Sequence, residues 1–105
     1  MEKFFDPKFL EQWLNGDPEI VGNIAHYPAT ITTSRFTGRP NYYAFPCQFN
    51  KIPKAIVAGY VEECKFWDKY QEESDMPIGE GDTIMQAFND LVKKMRRRLK
   101  IAKKL

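Results

Sequence analysis

Apolar residues recur at helical spacing through the last quarter of the chain, and this is its clearest pattern. They stand three or four positions apart, which places them on one face of a helix: Ile84, Phe88, Leu91, Val92, Met95, Leu99 and Ala102. Thr83 and Gln86 have the spacing of a capping box, and Asp82 puts a negative charge near the positive end of the helix dipole. The pattern predicts one long amphipathic helix from Ile84 to Leu105 with its apolar face against a core.

Two shorter helices are predicted near the N-terminus, and each opens with an Asp-Pro pair. In Asp6-Pro7 the aspartate is placed to cap a helix whose first residue is the proline. The apolar residues that follow at helical spacing are Phe9, Leu10, Trp13 and Leu14. Gly16 ends this pattern, and Asp17-Pro18 begins a second helix. Its apolar residues are Ile20, Val21 and Ile24.

After Tyr27 the pattern changes to an alternation with period two, which indicates β-strands. One strand is predicted over residues 29–34, which are rich in β-branched side chains. The next run places alternate side chains on one face: Tyr43, Phe45, Cys47 and Phe49. Turn-forming residues 37–40 join the two strands as a hairpin. Pro46 has no amide hydrogen to donate, so we expect the second strand to be an edge or bulged there.

The segment from Pro53 to Tyr70 fits either a strand or a helix. Residues 55–61 are rich in β-formers and Gly59 disfavours a helix, so a third strand is favoured. As a helix, the segment would carry an apolar stripe of Val57, Tyr60, Val61, Cys64 and Trp67. Residues 65–77, which include Glu72, Glu73 and Asp75, then form an exposed acidic connection to the last helix. The chain therefore predicts an α+β fold with short N-terminal helices, a small antiparallel sheet of two or three strands, and the long amphipathic helix packed on one face.

Length and composition favour a single domain over residues 1–105, large enough to bury a core without metal or disulfides. Cys47 and Cys64 have no metal-binding or redox spacing, and we expect them to be reduced thiols. The first residues lack the pattern of a signal peptide, and no apolar run approaches the length of a membrane span. A soluble, cytoplasmic protein without membrane contact is expected.

Charge is divided unevenly along the chain. Residues 83–105 contain eight lysines or arginines and one acid, Asp90, whereas residues 1–82 contain thirteen acids and eight bases. The helix would carry the bases as a stripe opposite its apolar face, available to nucleic acid, to an acidic partner, to its own acidic body, or only to solvent. Arg98 falls within the apolar arc where large core residues become sparse. We therefore predict that the basic helix end, residues 95–105, projects from the domain.

The residues that usually carry catalysis or bind metals are sparse or badly spaced. His26 is the single histidine, so sites that need two histidines are excluded. The acidic clusters lack the alternating ligand spacing of a calcium loop. Gly79 and Gly81 precede a helix as in a phosphate cradle, but Glu80 and Asp82 would repel an anion. We expect no enzymatic activity, no cofactor and no metal site.

Three segments resemble the hairpin and the helix opening of HicB-type antitoxins and of small phage and prophage proteins of similar pattern. They are Tyr27-Pro28-Ala29-Thr30-Ile31, Tyr42-Tyr43-Ala44-Phe45-Pro46, and the stretch from Gly79 through Asp82-Thr83 to Phe88. The chain differs by a longer segment between strand and helix, by its helical N-terminus and by the lack of a separate DNA-binding domain. The resemblance implies a non-catalytic protein that inhibits another protein by covering it.

Two binding hypotheses follow from these patterns. The first is a protein antagonist that binds through the hairpin tip and the acidic connection, since aromatic residues and arginines concentrate binding energy at interfaces. Its candidate residues are Arg35, Phe36, Arg39, Tyr42, Glu72, Glu73 and Asp75.

The alternative is a nucleic-acid-binding protein that uses backbone electrostatics. Its candidate residues are Lys93, Arg96, Arg97, Lys100, Lys103 and Lys104. The last helix also allows a homodimer.

Overall fold

The computed structural model of the chain describes residues 3–15, 29–34, 36 and 38–104. Among these residues the helices are α1 (Pro7–Asn15), α2 (Lys54–Ala58), α3 (Tyr60–Lys69) and α4 (Ile84–Lys103). The strands are β1 (Thr30–Thr33), β2 (Tyr42–Phe45) and β3 (Gly79–Gly81), and short 3-10 turns cover Lys3–Phe5 and Phe49–Lys51. The predicted α+β class is confirmed.

The two helices with the clearest sequence signals form as predicted. At the start of α4, Thr83 Oγ1 accepts a hydrogen bond from the amide of Gln86 at 3.1 Å, and Gln86 Oε1 accepts one from the amide of Asp82 at 3.0 Å. At the start of α1, Asp6 Oδ1 accepts a hydrogen bond from the amide of Lys8 at 3.0 Å. The second N-terminal helix predicted at residues 17–24 lies outside the described residues.

The sheet is antiparallel with the order β1-β2-β3, so β2 is the central strand. Tyr43 of β2 pairs with Thr32 on one side and with Glu80 on the other. The expectation of an edge or bulged second strand at Pro46 is therefore wrong. The strand ends at Phe45. Pro46 therefore lies beyond the ladder, where its missing amide hydrogen leaves no hydrogen bond of the sheet unmade.

The expectation of a strand within residues 53–70 is also wrong, because α2 and α3 occupy that segment. Gly59 has a low helix propensity and forms the break between the two helices, with a φ of 157°. Only glycine adopts this backbone conformation readily. The third strand is instead β3, whose two glycines carry no strand signal of their own.

Helices cover both faces of the sheet. On one face Ala44 lies in a core with buried residues of α1 and α4, among them Leu10, Trp13, Ala87, Leu91 and Met95. On the other face Tyr43 and Phe45 lie in a second core with Cys47, Ile52, Ile56, Trp67 and Ile78. The long helix packs on one face as predicted, while α2 and α3 add a layer on the other. Phe49, expected beside Tyr43 and Phe45, is 63% exposed because the chain turns after Cys47.

Strand β3 lies directly against α4, and its glycines make this approach feasible. A Cβ atom at Gly79 would meet the carbonyl oxygen of Ala87 and would lie 2.5 Å from the amide nitrogen of Leu91. A Cβ atom at Gly81 would lie 2.5 Å from the amide nitrogen of Ala87. The glycines at these positions thus serve helix–strand packing and do not form the phosphate cradle that their spacing suggests.

The last turns of α4 pack on the N-terminal part of the chain. Met95, Arg98 and Ala102 are at most 4% exposed, and Lys103 Nζ lies 2.8 Å from Glu11 Oε1 of α1. The prediction that residues 95–105 project from the domain is therefore wrong as far as Lys103. Arg98 lies within the apolar arc of the helix, and its side chain is buried against the domain. In the described part of the chain, no helix has both the length and the apolar character needed to cross a membrane.

Candidate functional site

Two residues of the hairpin tip, Phe36 and Arg39, pack against α3. The ring of Phe36 lies 5.2 Å from that of Tyr60, measured between centroids, and the Arg39 guanidinium carbon lies 5.2 Å from the centre of the Trp67 ring. Tyr42 belongs to the opposite face of the sheet, where it packs against the core under α4. The structure thus brings Phe36 and Arg39 together and separates Tyr42 from them. Arg35, the remaining candidate of the tip, lies outside the described residues.

Large apolar side chains are exposed where α2 meets α3, directly beside the hairpin tip. Val57, Tyr60 and Val61 are 55%, 58% and 58% exposed. The residues between them, Ala58 and Gly59, carry no polar side chain either. We call residues 57–61 together with Phe36, whose ring contacts Tyr60, the apolar corner. The sequence did not predict this surface, because a strand was favoured over residues 55–61. The helical alternative put Val57, Tyr60 and Val61 on one apolar stripe, whereas Gly59 separates two helices between them.

A groove of about 210 Å³ lies next to the apolar corner and is lined by Phe36, Arg39, Cys64, Trp67 and Asp68. Two contacts fix the Trp67 side chain in this groove. Its ring stacks on the Tyr43 ring at 4.5 Å, and its indole donates a hydrogen bond to Glu63 Oε2 at 3.0 Å. Burial raises the pKa of the Tyr43 hydroxyl, while Ser34 and Arg39 nearby act in the opposite direction. Both cysteines are free, as expected, and Cys47 is buried.

The acidic connection predicted as a second protein-binding patch is attached to α4. Glu72 Oε1 accepts a hydrogen bond from Arg97 Nη1 at 3.1 Å. The backbone carbonyls of Glu72 and Asp75 accept hydrogen bonds from Arg98 Nη2 at 2.6 and 2.8 Å. Asp75 Oδ2 also accepts one from the amide of Gln71 at 2.8 Å. Glu72 and Asp75 therefore have partners within the chain, and all three acids of the patch, including Glu73, are exposed.

Arg98 is the residue that holds this connection in place, and the sequence analysis gave it no such role. Its guanidinium also donates to the carbonyl of Phe4 at 3.4 Å, and its central carbon lies 4.4 Å from the centre of the Phe5 ring. Burial lowers the pKa of Arg98, although nearby Tyr70, Asp75 and glutamates oppose the shift. The sequence did contain a signal for this role. Arg98 is a cation among apolar residues on one face of the helix, and a buried charge needs hydrogen-bond acceptors.

The predicted basic stripe is exposed along its whole length. Arg97 pairs with Glu72, and Lys103 pairs with Glu11. No ion pair is made within the described residues by the other four members, Lys93, Arg96, Lys100 and Lys104. Four of the six cations of the basic stripe are therefore not compensated by an ion pair within the described residues.

Metal binding finds no support among the described residues, where no group of three or more His, Cys, Asp or Glu side chains is placed to hold an ion. His26 lies outside those residues. The expected absence of catalysis and of a cofactor stays a prediction.

Comparison of the chain with models of protein families, with curated proteins and with solved structures finds no match. The resemblance to HicB-type antitoxins stays a prediction as well. Two surfaces of this molecule are candidates for binding a partner, the apolar corner and the basic stripe of α4.

Proposed function

We propose that this is a non-enzymatic regulatory protein that binds another protein through the apolar corner and thereby inhibits it. The observation that carries the proposal is the exposure of Val57, Tyr60 and Val61, each more than half accessible within five consecutive positions. Scattered apolar residues are normal on a protein surface, but a contiguous group marks an interaction site. The exposed cation Arg39 borders this group, and tyrosine and arginine are the residue types that most often dominate binding energy.

The support beneath the corner favours a preorganised interface. Tyr60 contacts Phe36, and Arg39 lies over a Trp67 ring that is fixed by stacking and by a hydrogen bond. Side chains that are already ordered lose little conformational entropy when a partner binds. The apolar corner therefore offers contact area at low entropic cost.

The size of the groove favours a protein partner over a small molecule. At about 210 Å³ it is below the range of roughly 300–1,000 Å³ that is typical of small-molecule pockets. A protein partner would cover both the groove and the convex apolar corner. The inhibitory outcome of this binding, and a phage or mobile-element setting, rest on the resemblance to HicB-type antitoxins.

A pair of variants tests the proposal with a control of equal apolar character. Tyr60→Ser with Val61→Ser removes the centre of the corner, and Ile84→Ser with Met85→Ser removes two residues that are 56% and 65% exposed at the start of α4. We expect the parent and the control to recover one stoichiometric protein from nuclease-treated host lysate, and the corner variant to lose it. Calorimetry with the purified partner should show a loss of at least about 2 kcal/mol, roughly thirtyfold in affinity.

The measurement has clear contrary outcomes. Equal recovery by the corner and control variants would place the interface elsewhere. Recovery of no stoichiometric protein by the parent would refute protein binding. Urea denaturation of each variant should match the parent, since the substituted side chains of the corner are exposed and contribute little to folding.

A further inference from the structure

From Lys93 to the residue that follows α4, the exposed face of the helix carries a line of cations, which we call the basic line. Its members are Lys93, Arg96, Arg97, Lys100, Lys103 and Lys104, all exposed. From Lys93 to Lys104 the line extends about 16 Å at 1.5 Å per residue. Arg98 and the core residues of this segment face the domain, whereas Ile101 is 44% exposed and lines a groove with Arg97 at the edge of the line.

The acids of the surrounding structure lie beside Lys93, Arg97 and Lys103, and none of them forms an ion pair with Lys93, Arg96, Lys100 or Lys104 within the described residues. Asp90, the one acid of α4, lies 3.0 Å from Lys94 Nζ, and it also accepts a hydrogen bond from the amide of Glu80 at 2.9 Å. Asp90 also lines a surface groove together with Glu80, Asp82 and Lys93, so acids lie beside the first cation of the line. Glu72 and Glu11 reach Arg97 and Lys103 only through exposed ion pairs, which are weak and open to competition by another anion.

We propose that this face binds the phosphate backbone of duplex nucleic acid. Protein interfaces have an apolar core, and the basic line offers none. A duplex instead presents one negative charge per about 3.4 Å of axis on each strand, so a line of about 16 Å faces several phosphates in succession. The long, flexible side chains of lysine and arginine suit such contacts. No base-reading arrangement accompanies the line, and the binding is therefore independent of sequence.

This site is distinct from the apolar corner, and the two proposals can fail separately. Binding is measured by fluorescence anisotropy of a labelled random-sequence duplex of about 20 base pairs, at salt concentrations from about 50 to about 200 mM. With Lys93, Arg96, Lys100 and Lys104 each contacting a phosphate, the log–log slope of affinity against salt should lie near −3 to −4, at about −0.9 per contact.

Two charge-removing pairs identify the surface. Lys93→Gln with Lys100→Gln should reduce the steepness of the slope by about two. The control, Lys54→Gln with Lys65→Gln, removes two exposed lysines from α2 and α3 and should leave the slope unchanged. The Tyr60→Ser and Val61→Ser protein should bind the duplex like the parent.

Three results would overturn the proposal. The first is the absence of duplex binding by the parent at the lowest salt concentration. The second is an equal loss of binding in both lysine pairs. The third is polyglutamate competing as strongly as unlabelled duplex at equal charge, which would assign the face to acidic proteins. Matching urea midpoints for all variants confirm that any loss reflects binding and not folding.

Discussion

Substitution of Gly79 by alanine tests the packing of β3 against α4 with a change of one methyl group. The backbone at Gly79 lies outside the positive-φ region, so alanine itself is tolerated there. Without steric conflict the change should stabilise the protein by about 0.5–1 kcal/mol, because alanine loses less conformational entropy than glycine on folding. The close contact with α4 predicts the opposite sign.

The magnitude follows from the distances. The added carbon would lie 2.5 Å from the amide nitrogen of Leu91 and 2.8 Å from its Cβ atom, whereas nonbonded atoms normally stay about 3.5 Å apart. Backbone atoms cannot move aside by rotation, so β3 or α4 must shift by about 1 Å. Overpacking of this kind costs about 1–3 kcal/mol, and we expect a net loss near 2 kcal/mol.

Urea denaturation provides the measurement. With a slope of about 1–3 kcal/mol per molar urea for a small domain, the midpoint of Gly79→Ala should fall by about 1 M. Glu80→Ala, on the exposed side of the same strand, is the matched control. It removes an ion pair with Lys94 at 3.7 Å and should stay within about 1 kcal/mol of the parent. A midpoint for Gly79→Ala equal to or above that of the parent would refute the close approach of β3 to α4.

Two further predictions concern the cores. Leu91→Ala should cost about 2–5 kcal/mol through the cavity it leaves, and equal denaturation midpoints for this variant and the exposed control Val57→Ala would contradict the packing of α4. Stability should also fall as pH rises above about 9, because burial raises the pKa of Cys47 to about 11 and raises those of Tyr70 and Tyr43 above 10.0. The unfolded state then releases protons first. Denaturation midpoints that rise or stay constant between about pH 8 and pH 11 would contradict this.

The parts of the fold that were predictable are those with local signals. The helix α4 has a capping box and a strict apolar period, and α1 has a capping aspartate followed by proline, so neither depends on distant residues for its assignment. The hairpin of β1 and β2 likewise follows from alternation and turn residues. These elements form because local preference and tertiary packing agree.

The parts that were missed depend on contacts between distant segments. Gly59 reads as a helix breaker, but whether it separates two helices or belongs to a strand is decided by the packing of Trp67 on Tyr43 across the sheet. Strand β3 is specified by the space beneath α4 and not by strand propensity. The position of Arg98 within the apolar arc was interpreted as a sign that the helix end projects, because sequence alone does not show the carbonyl groups that accept its hydrogen bonds.

The candidate surfaces were predicted with uneven success for a related reason. The basic line follows from helical period alone, so all its members appear together on one face. The apolar corner depends on the break between α2 and α3 at Gly59, which leaves Val57, Tyr60 and Val61 exposed and which neither the predicted strand nor the alternative single helix contained. Exposure of apolar residues is a property of the assembled domain, and it has no sequence signature of its own.

The contact between the carbonyl of Phe4 and the guanidinium of Arg98 joins residues 94 positions apart, and it has a consequence for synthesis of the protein. At about 5–20 residues per second, roughly 5–20 s pass between the translation of Phe4 and that of Arg98. Throughout this interval Leu10 and Trp13 lack the helix that buries them. Chaperones that recognise exposed apolar segments therefore have at least this period in which to bind the nascent chain, before α4 is free to pack on α1.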